Sequence, residues 1–280
     1  MAWALETHWK PTRLLEVGQT LDTSTGPARV MTDAGPAYLK AMGNRQGPHV
    51  LATDWVGTLL AKWLGLSTFE VAILSLEKDD CFDLPHGTRT RPGPAFVARE
   101  LSGEPWGRSA LQLDLLMNPE DITRLLVFDT WTLNCDRHHH DVTVRKPNYD
   151  NVFLSSEGVE PGKRRLIAMD HGLCFIRSGE DLSPKLGRID KVRDEHVYGL
   201  FPEFRDKLRE NMIVDSVRRL HEMDMPIAHA MVQTVPGEWD VSPDARAAWA
   251  ELIYRRACYV ADNVQGWIEL VAPWFKAQGE

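Results

Sequence analysis

Between Leu14 and Met42 the apolar positions fall into three short runs, LLEVGQTL, ARVMT and AYLKAM, separated by Asp22-Thr23-Ser24-Thr25-Gly26 and by Asp33-Ala34-Gly35-Pro36. Short apolar runs bounded by Gly, Pro and Asp read as strands joined by turns, so the chain opens on a β-meander with a flexible first turn. After GNRQGP (43–48), Val50, Leu51, Trp55, Val56, Leu59, Leu60, Trp63 and Leu64 recur at helical spacing, and Gly65 closes the run like a C-terminal cap. This predicts a helix packed on the meander. FEVAILSL (69–76) and AFVAREL (95–101) add two strands and make a five-stranded sheet, with the polar stretch 78–94 as an exposed connection.

The pattern then changes. Asn118-Pro119-Glu120-Asp121 supplies an N-cap, a proline at the first helical position and early acids, opening a helix through ITRLLVFDTWTLN that delivers the chain to CDRHHHD. NVFL (151–154) and RLIAM (165–169) read as a hairpin joined by SSEGVEPGK, and its second strand ends at Asp170-His171-Gly172. From Phe204 onward the periodicity is helical, over 204–223, 226–234 and a long stretch from Ser242 that carries Trp249, Leu252, Ile253, Val260, Val264, Trp267 and Ile268 on one stripe. The expected class is therefore α+β. A β-rich unit over 1–102 precedes a mainly helical unit over 103–280, with the boundary at Ser102-Gly103.

Composition narrows the function classes. The chain has 280 residues, 43% hydrophobic and 26% charged, in line with a globular protein with a sizeable core, and no apolar run is long enough to span a bilayer. Its start lacks a secretory signal and its four cysteines form no Cys-x-x-Cys pair, which places it in the cytoplasm with reduced thiols. A net charge of -8 opposes nucleic-acid binding. Trp55, Trp63, Trp131, Trp249 and Trp267 lie at helical core spacing and read as packing rather than stacking platforms. The run His138-His139-His140 invites a zinc reading, but consecutive residues of an extended segment point to alternate sides, so His139 and His140 are assigned to the loop surface.

A lysine at the end of a meander strand, a helix whose acid can face it, and two separated acids farther along are the ingredients of ATP-dependent phosphoryl transfer. A fixed ammonium neutralises phosphate oxygens, carboxylate or amide oxygens hold magnesium, and a further carboxylate sits where a hydroxyl approaches. Lys40 suits the first task; Asp170, Asn151 and Asp136 suit the others.

AYLKAMGNRQGP (37–48), LAKWLGL (60–66), NCDRH (134–138), MDHG (169–172) and VPGEW (235–239), in this order, make the chain resemble the HipA-like kinases, relatives of phosphatidylinositol kinases and of protein kinases. The resemblance implies a two-lobed protein kinase-like fold and a kinase using ATP and Mg2+, with protein Ser/Thr as the acceptor. By that resemblance Lys40 binds the α and β phosphates and Asp54 holds Lys40, where relatives usually have Glu. The loop Thr23–Gly26, with Ser24, Thr25 and Gly26, covers the phosphates, and Glu100 and Leu101 bind adenine through the main chain. Asp136 becomes the catalytic base, His138 helps balance the charge of the transferring phosphoryl, and Asp170 is the principal metal ligand. Two residues compete as second metal ligand: Asp141, five residues after Asp136 where the family has Asn, and Asn151, which opens the strand leading back toward Asp170. The hairpin context favours Asn151. Hydroxyls in the covering loop suggest autophosphorylation at Ser24 or Thr25.

Two other classes fit parts of the pattern. A metal-dependent phosphohydrolase would use His140-Asp141 and Asp170-His171 but has no use for Lys40. A catalytically silent nucleotide-binding module is consistent with Asp at positions 54 and 141. The sequence names neither the protein substrate nor an antitoxin-type partner.

Overall fold

The computed structural model describes residues 8–273. Its first part runs β1 (Leu14–Thr20), β2 (Ala28–Thr32), β3 (Gly35–Lys40), α1 (His49–Leu64), β4 (Val71–Leu76) and β5 (Gly93–Arg99), and the five strands pair antiparallel in the order β1-β2-β3-β5-β4. Side chains alternate across the sheet as a period of two requires. Ala37, Leu39, Ala95 and Val97 join Trp9, Leu74 and Leu76 in a small core on one face, whereas Phe96 joins the large core built on α1. Lys40 is registered opposite Phe96 and Leu39 opposite Val97, so the pleat sends Lys40 to the α1 side.

The connection 78–94 is less exposed than its composition predicts. It contains two short 3-10 turns, Lys78–Asp80 and Pro85–Gly87, and buries Leu84 and Thr90. Leu84 and Pro85 lie against Gly26, so this connection backs the loop that the sequence assigns to phosphate covering. The glycine that opens GNRQGP has a steric reason. At Gly43, with φ +92°, a Cβ would stand 2.1 Å from the carbonyl oxygen of Arg89, so only glycine lets the two backbones meet.

The second part contains β6 (Gly103–Pro105), α2 (Ala110–Leu113), α3 (Glu120–Thr132), β7 (Val152–Ser155), β8 (Arg165–Ala168), α4 (Ile189–Val192), α5 (Glu210–His221), α6 (Met225–Gln233) and α7 (Pro243–Val271). The expected hairpin is β7-β8, and β6 extends it to a three-stranded antiparallel sheet. Strand β6 carries no apolar pattern. Its conformation comes from backbone pairing of Gly103 with Ser155 and Glu104 with Leu154.

The helix expected over 204–223 is interrupted. Residues Pro202–Lys207 form a 3-10 turn, Leu208 is extended at ψ 144°, and α5 begins at Glu210. Tertiary contacts override the periodicity here. Phe204 stacks on Trp106 at 5.0 Å, and the Arg209 N–H leaves the helical pattern to donate to Thr123 Oγ1 on α3 at 3.0 Å.

Helix α7 starts as its sequence predicts, with Ser242 Oγ accepting from the Ala245 N–H and Pro243 at the first position. Its stripe is buried, and the five tryptophans assigned to packing are all in the core. Within the stripe sits a fully buried Arg256, which donates to the carbonyls of Thr130, Trp131, Lys191, Val192 and Asp194. Thr130 and Trp131 lie in the last turn of α3, whose carbonyls lack intrahelical donors and carry the negative end of the helix dipole. One cation therefore ties α7 to the end of α3 and to α4. Among the described residues no helix is long and apolar enough to cross a membrane.

Candidate active site

Three elements bring the first cluster together. Lys40 ends β3, Asp54 lies in α1, and Asp170 follows β8. Lys40 Nζ donates to Asp54 Oδ2 at 2.7 Å and to Asp170 Oδ1 at 3.0 Å. The other Asp54 oxygen accepts the backbone N–H of His171 at 2.9 Å, so the shorter acid at position 54 still pairs directly with the lysine and also fixes the loop that carries Asp170. Asp170 itself adopts φ +55°, a left-handed backbone that non-glycine residues rarely take and that strained functional turns retain. Burial opposes the Lys40 charge, but the two carboxylates outweigh it and raise its pKa. Burial likewise opposes ionisation of Asp170, and the Lys40 ammonium outweighs it and holds that carboxyl below its ordinary value.

The second cluster surrounds Asp136, which the chain reaches after α3. Its Oδ2 accepts from Asn151 Nδ2 at 2.8 Å, and its Oδ1 accepts from the guanidinium of Arg145. Burial and the neighbouring charge of Asp170 push the Asp136 carboxyl up, against the pull of Arg145, Asn151 and Arg137. A raised carboxylate pKa suits a proton acceptor.

Behind both clusters stands Arg137. It is fully buried, donates to Asp129 Oδ2 at 2.8 Å and to Met169 O at 2.9 Å, and also donates to Asn151 O. One guanidinium thus pins the main chain beside Asn151 and beside Asp170 to the end of α3. The sequence motif NCDRH contains Arg137 but gives it no role, and nothing in the spacing links it to Asp129, eight residues earlier. Arg145 likewise reads as an ordinary loop charge in VTVRKPNYD.

The remaining candidates are placed as follows. Asp141 is half-buried, and its carboxylate accepts from the N–H and Oγ1 of Thr143 at 2.9 and 2.6 Å. Among the described residues no hydrogen bond joins it to Asp136 or Asp170. His138 is buried edge-on against Phe201 at 5.2 Å, its Nδ1 has no partner, and burial lowers its pKa. His139, expected at the surface, is buried, with Nδ1 accepting from the Asp141 N–H at 3.0 Å; the exposed member is His140, stacked on His196 at 3.7 Å. His171, the other half of the phosphohydrolase pattern, is fully buried edge-on to Phe128, with burial and the Arg137 charge lowering its pKa well below the usual imidazole range.

In the loop 22–26, Gly26 N–H donates to Thr23 O at 3.1 Å and Thr23 N–H to Leu21 O at 2.9 Å. The N–H groups of Ser24 and Thr25 have no acceptor among the described residues. Ser24 Oγ accepts from Gln46 Nε2 at 2.5 Å, which links the loop to GNRQGP, while Thr25 is buried. At the end of β5, Glu100 N–H donates to Pro36 O at 3.0 Å and the Glu100 carboxylate takes Arg29 Nε at 2.9 and 3.0 Å; Leu101 follows directly.

The donor set fits a magnesium ion. Asp170 offers its second oxygen, and Asn151, whose nitrogen is committed to Asp136, offers Oδ1. Among the described residues no group of three or more His, Cys, Asp and Glu side chains is placed to hold a metal. Magnesium bound to nucleotide uses one or two protein oxygens and takes the rest from phosphate and water, so two donors suffice.

Compared with curated protein sequences, the chain matches none. Among solved structures it resembles the proinflammatory kinase CtkA of Helicobacter pylori, with a TM-score of 0.57, 12% sequence identity and coverage of 91% of this chain and 96% of that one. At that identity the likeness speaks for the fold, a two-lobed kinase-like one with an antiparallel β-sheet in the N-terminal region and a helical C-terminal part. The family model described as HipA-like kinase matches residues 18–260, and over that span the chain belongs to the HipA-like kinases, a family of phosphotransferases.

Proposed function

We propose that this protein transfers the γ-phosphoryl of ATP to a serine or threonine hydroxyl of a protein, in a cleft between units spanning 1–102 and 103–280. The observation that carries this reading is one buried ammonium shared by carboxylates from α1 and from the segment after β8, at 2.7 and 3.0 Å. Lys40 takes the α and β phosphate oxygens, and Asp54 keeps it aimed. The free N–H groups of Ser24 and Thr25 face the phosphates, and the Glu100 carbonyl with the Leu101 N–H meets the purine edge. Asp170 and Asn151 are the residues that would hold Mg2+, which supplies charge neutralisation between the β and γ phosphates.

Asp136 orients the acceptor hydroxyl and receives its proton as the acceptor oxygen bonds to the γ phosphorus and the bond from that phosphorus to the β-γ bridging oxygen breaks. The products are a phosphomonoester and ADP. Asp136→Asn abolishes transfer of labelled γ-phosphate while leaving ATP affinity within about twofold, because the change keeps the Asn151 contact region but removes the base. Lys40→Met instead impairs productive ATP positioning and lowers affinity. Labelled phosphate on protein at the wild-type rate in Asp136→Asn would refute the assignment.

A further inference from the structure

The transferring phosphoryl group needs a cation near the attacking oxygen, because negative charge spreads over its three equatorial oxygens as the bonds exchange. The resemblance assigns that duty to His138, but the structure packs His138 edge-on against Phe201, with its Nδ1 enclosed and without a partner. Among the described residues, the other cations of the site are Lys40, which serves the α and β phosphates, and Arg137. Lys40 is shared by Asp54 and Asp170, and Arg137 is wholly enclosed by Asp129 and main-chain carbonyls.

Arg145 differs from both. Its guanidinium lies on Asp136 Oδ1, beside the oxygen held by Asn151, and its side chain is still 36% exposed. A guanidinium carries five N–H donors in a fixed fork, so an edge that holds a carboxylate leaves donors for a second anion. The segment that presents it is a compact turn. The Asp141 carbonyl accepts from the N–H groups of Val144 and Arg145 at 3.1 and 3.3 Å, and Asn148 N–H donates to Arg137 O at 2.8 Å. The turn is therefore closed on itself and tied to the main chain of Arg137 at its C-terminal end, while Val142 and Val144 remain 51% and 70% exposed. Apolar side chains left in water show that this turn is not shaped by core packing; what it buries against the site is its arginine.

We propose that Arg145 is a catalytic residue of the phosphoryl transfer, its guanidinium bridging Asp136 and the γ-phosphoryl oxygens in the transition state. This rests on the reading of Asp136 as the base. Before transfer Arg145 is held by the ionised carboxylate. As Asp136 takes the acceptor proton it becomes neutral and its attraction for the guanidinium falls, while charge accumulates on the phosphoryl oxygens. The guanidinium thus serves base and phosphoryl within one site.

The test uses the full chain with Mg2+ and labelled ATP, scoring phosphate release to water in single turnover as well as transfer to dephosphorylated casein, so that the rate does not depend on knowing the natural substrate. Arg145→Gln lowers the single-turnover rate about 10²- to 10³-fold, the usual effect of removing one transition-state donor, with the apparent affinity for ATP changed less than threefold. Arg145→Lys recovers part of the loss, since a point charge replaces the fork without its bidentate geometry. Calorimetry supplies a readout without turnover: Arg145→Gln binds ADP as the wild type does but binds ADP with aluminium fluoride and Mg2+, a mimic of the planar phosphoryl, at least tenfold more weakly.

A wild-type rate in Arg145→Gln with a dead Asp136→Asn overturns the role of Arg145 alone. Wild-type rates in both variants, or no turnover in the wild type, overturn the underlying reading of the site and this inference with it. A faster Arg145→Gln enzyme also overturns the inference, showing instead that the arginine blocks the base.

Discussion

Replacing Arg137 by Met keeps a side chain of similar length in the core but removes the charge that joins Asp129 to the main chain at Asn151 and Met169. In the wild type Arg137 and Asp129 are both fully buried and joined at 2.8 Å, and Asn134 Nδ2 adds a second donor to Asp129 at 3.0 Å. Burial nevertheless pushes the Asp129 carboxyl up to about 6, against the pull of Arg137 and Asn134 and with the charge of Asp136 adding to the rise. Removing one partner of a buried pair leaves the other uncompensated, which costs about 3–5 kcal/mol when the remaining group is charged. Asp129 can avoid part of that cost by keeping a proton.

At pH 5 it is largely protonated in both proteins and the electrostatic part of the loss is small. Between pH 6 and 8 the wild-type carboxyl ionises against Arg137, whereas the variant must either hold its proton or bury a bare charge. Each pH unit in that window adds up to about 1.4 kcal/mol, hence about 3 kcal/mol over two units. The sign is fixed by the direction of the shift: a carboxyl raised in the folded state above its unfolded value favours folding less as pH climbs through the folded value. Neighbouring groups act in the same direction. Arg137 also pulls down Asp136 and Asp170 and disfavours protonation of His171, so its loss makes all three hold protons more readily. Urea unfolding of wild type and Arg137→Met at pH 5 and pH 8 measures the effect, which should be about 3 kcal/mol larger at pH 8. A stability difference that is equal at the two pH values, or larger at pH 5, would refute the reasoning.

Gly57→Ala in α1 should destabilise, although alanine in an exposed helix gains about 1 kcal/mol over glycine. Here the added Cβ stands 2.5 Å from His171 Cβ and 3.3 Å from Cys174 Sγ, so α1 and the Asp170 loop must part, at an overpacking cost of about 1–3 kcal/mol, read as a lower Tm. An unchanged or higher Tm would show that the contact yields freely. Of the two hydroxyls in the loop 22–26, Ser24 is exposed and Thr25 is buried, so incubation with ATP and Mg2+ should modify Ser24 and leave Thr25 intact. Peptide mass spectrometry that finds Thr25 modified, or Ser24 untouched, counts against autophosphorylation in this loop.

The alternation of apolar residues was enough to place β1 to β5, the helical spacing enough for α1, and the capping residues enough for the start of α7, because each is a local periodicity or a local hydrogen bond; Asn118, expected to cap α3, makes no cap bond and instead joins Asp121 to the main chain of Leu166. Strand parity places Lys40 and helix phase places Asp54, whereas Asp170 lies beyond β8 at φ +55° and is aimed by its own turn. Other features carry no local signal. Strand β6 exists through the backbone of β7, and the break at Leu208 exists through Trp106 and Thr123. The separation of Asn151, which meets Asp136, from Asp141, which closes its own turn on Thr143, depends on where the hairpin docks. Arg137, Arg145 and Arg256 look alike in sequence, as basic residues with no evident partner. Only the packed chain decides that one is enclosed with a carboxylate, one caps a helix by donating to its carbonyls and one reaches Asp136 from a loop. A charge is tolerated in a core only where its partners already converge, and that convergence is a property of the assembled elements rather than of any one of them.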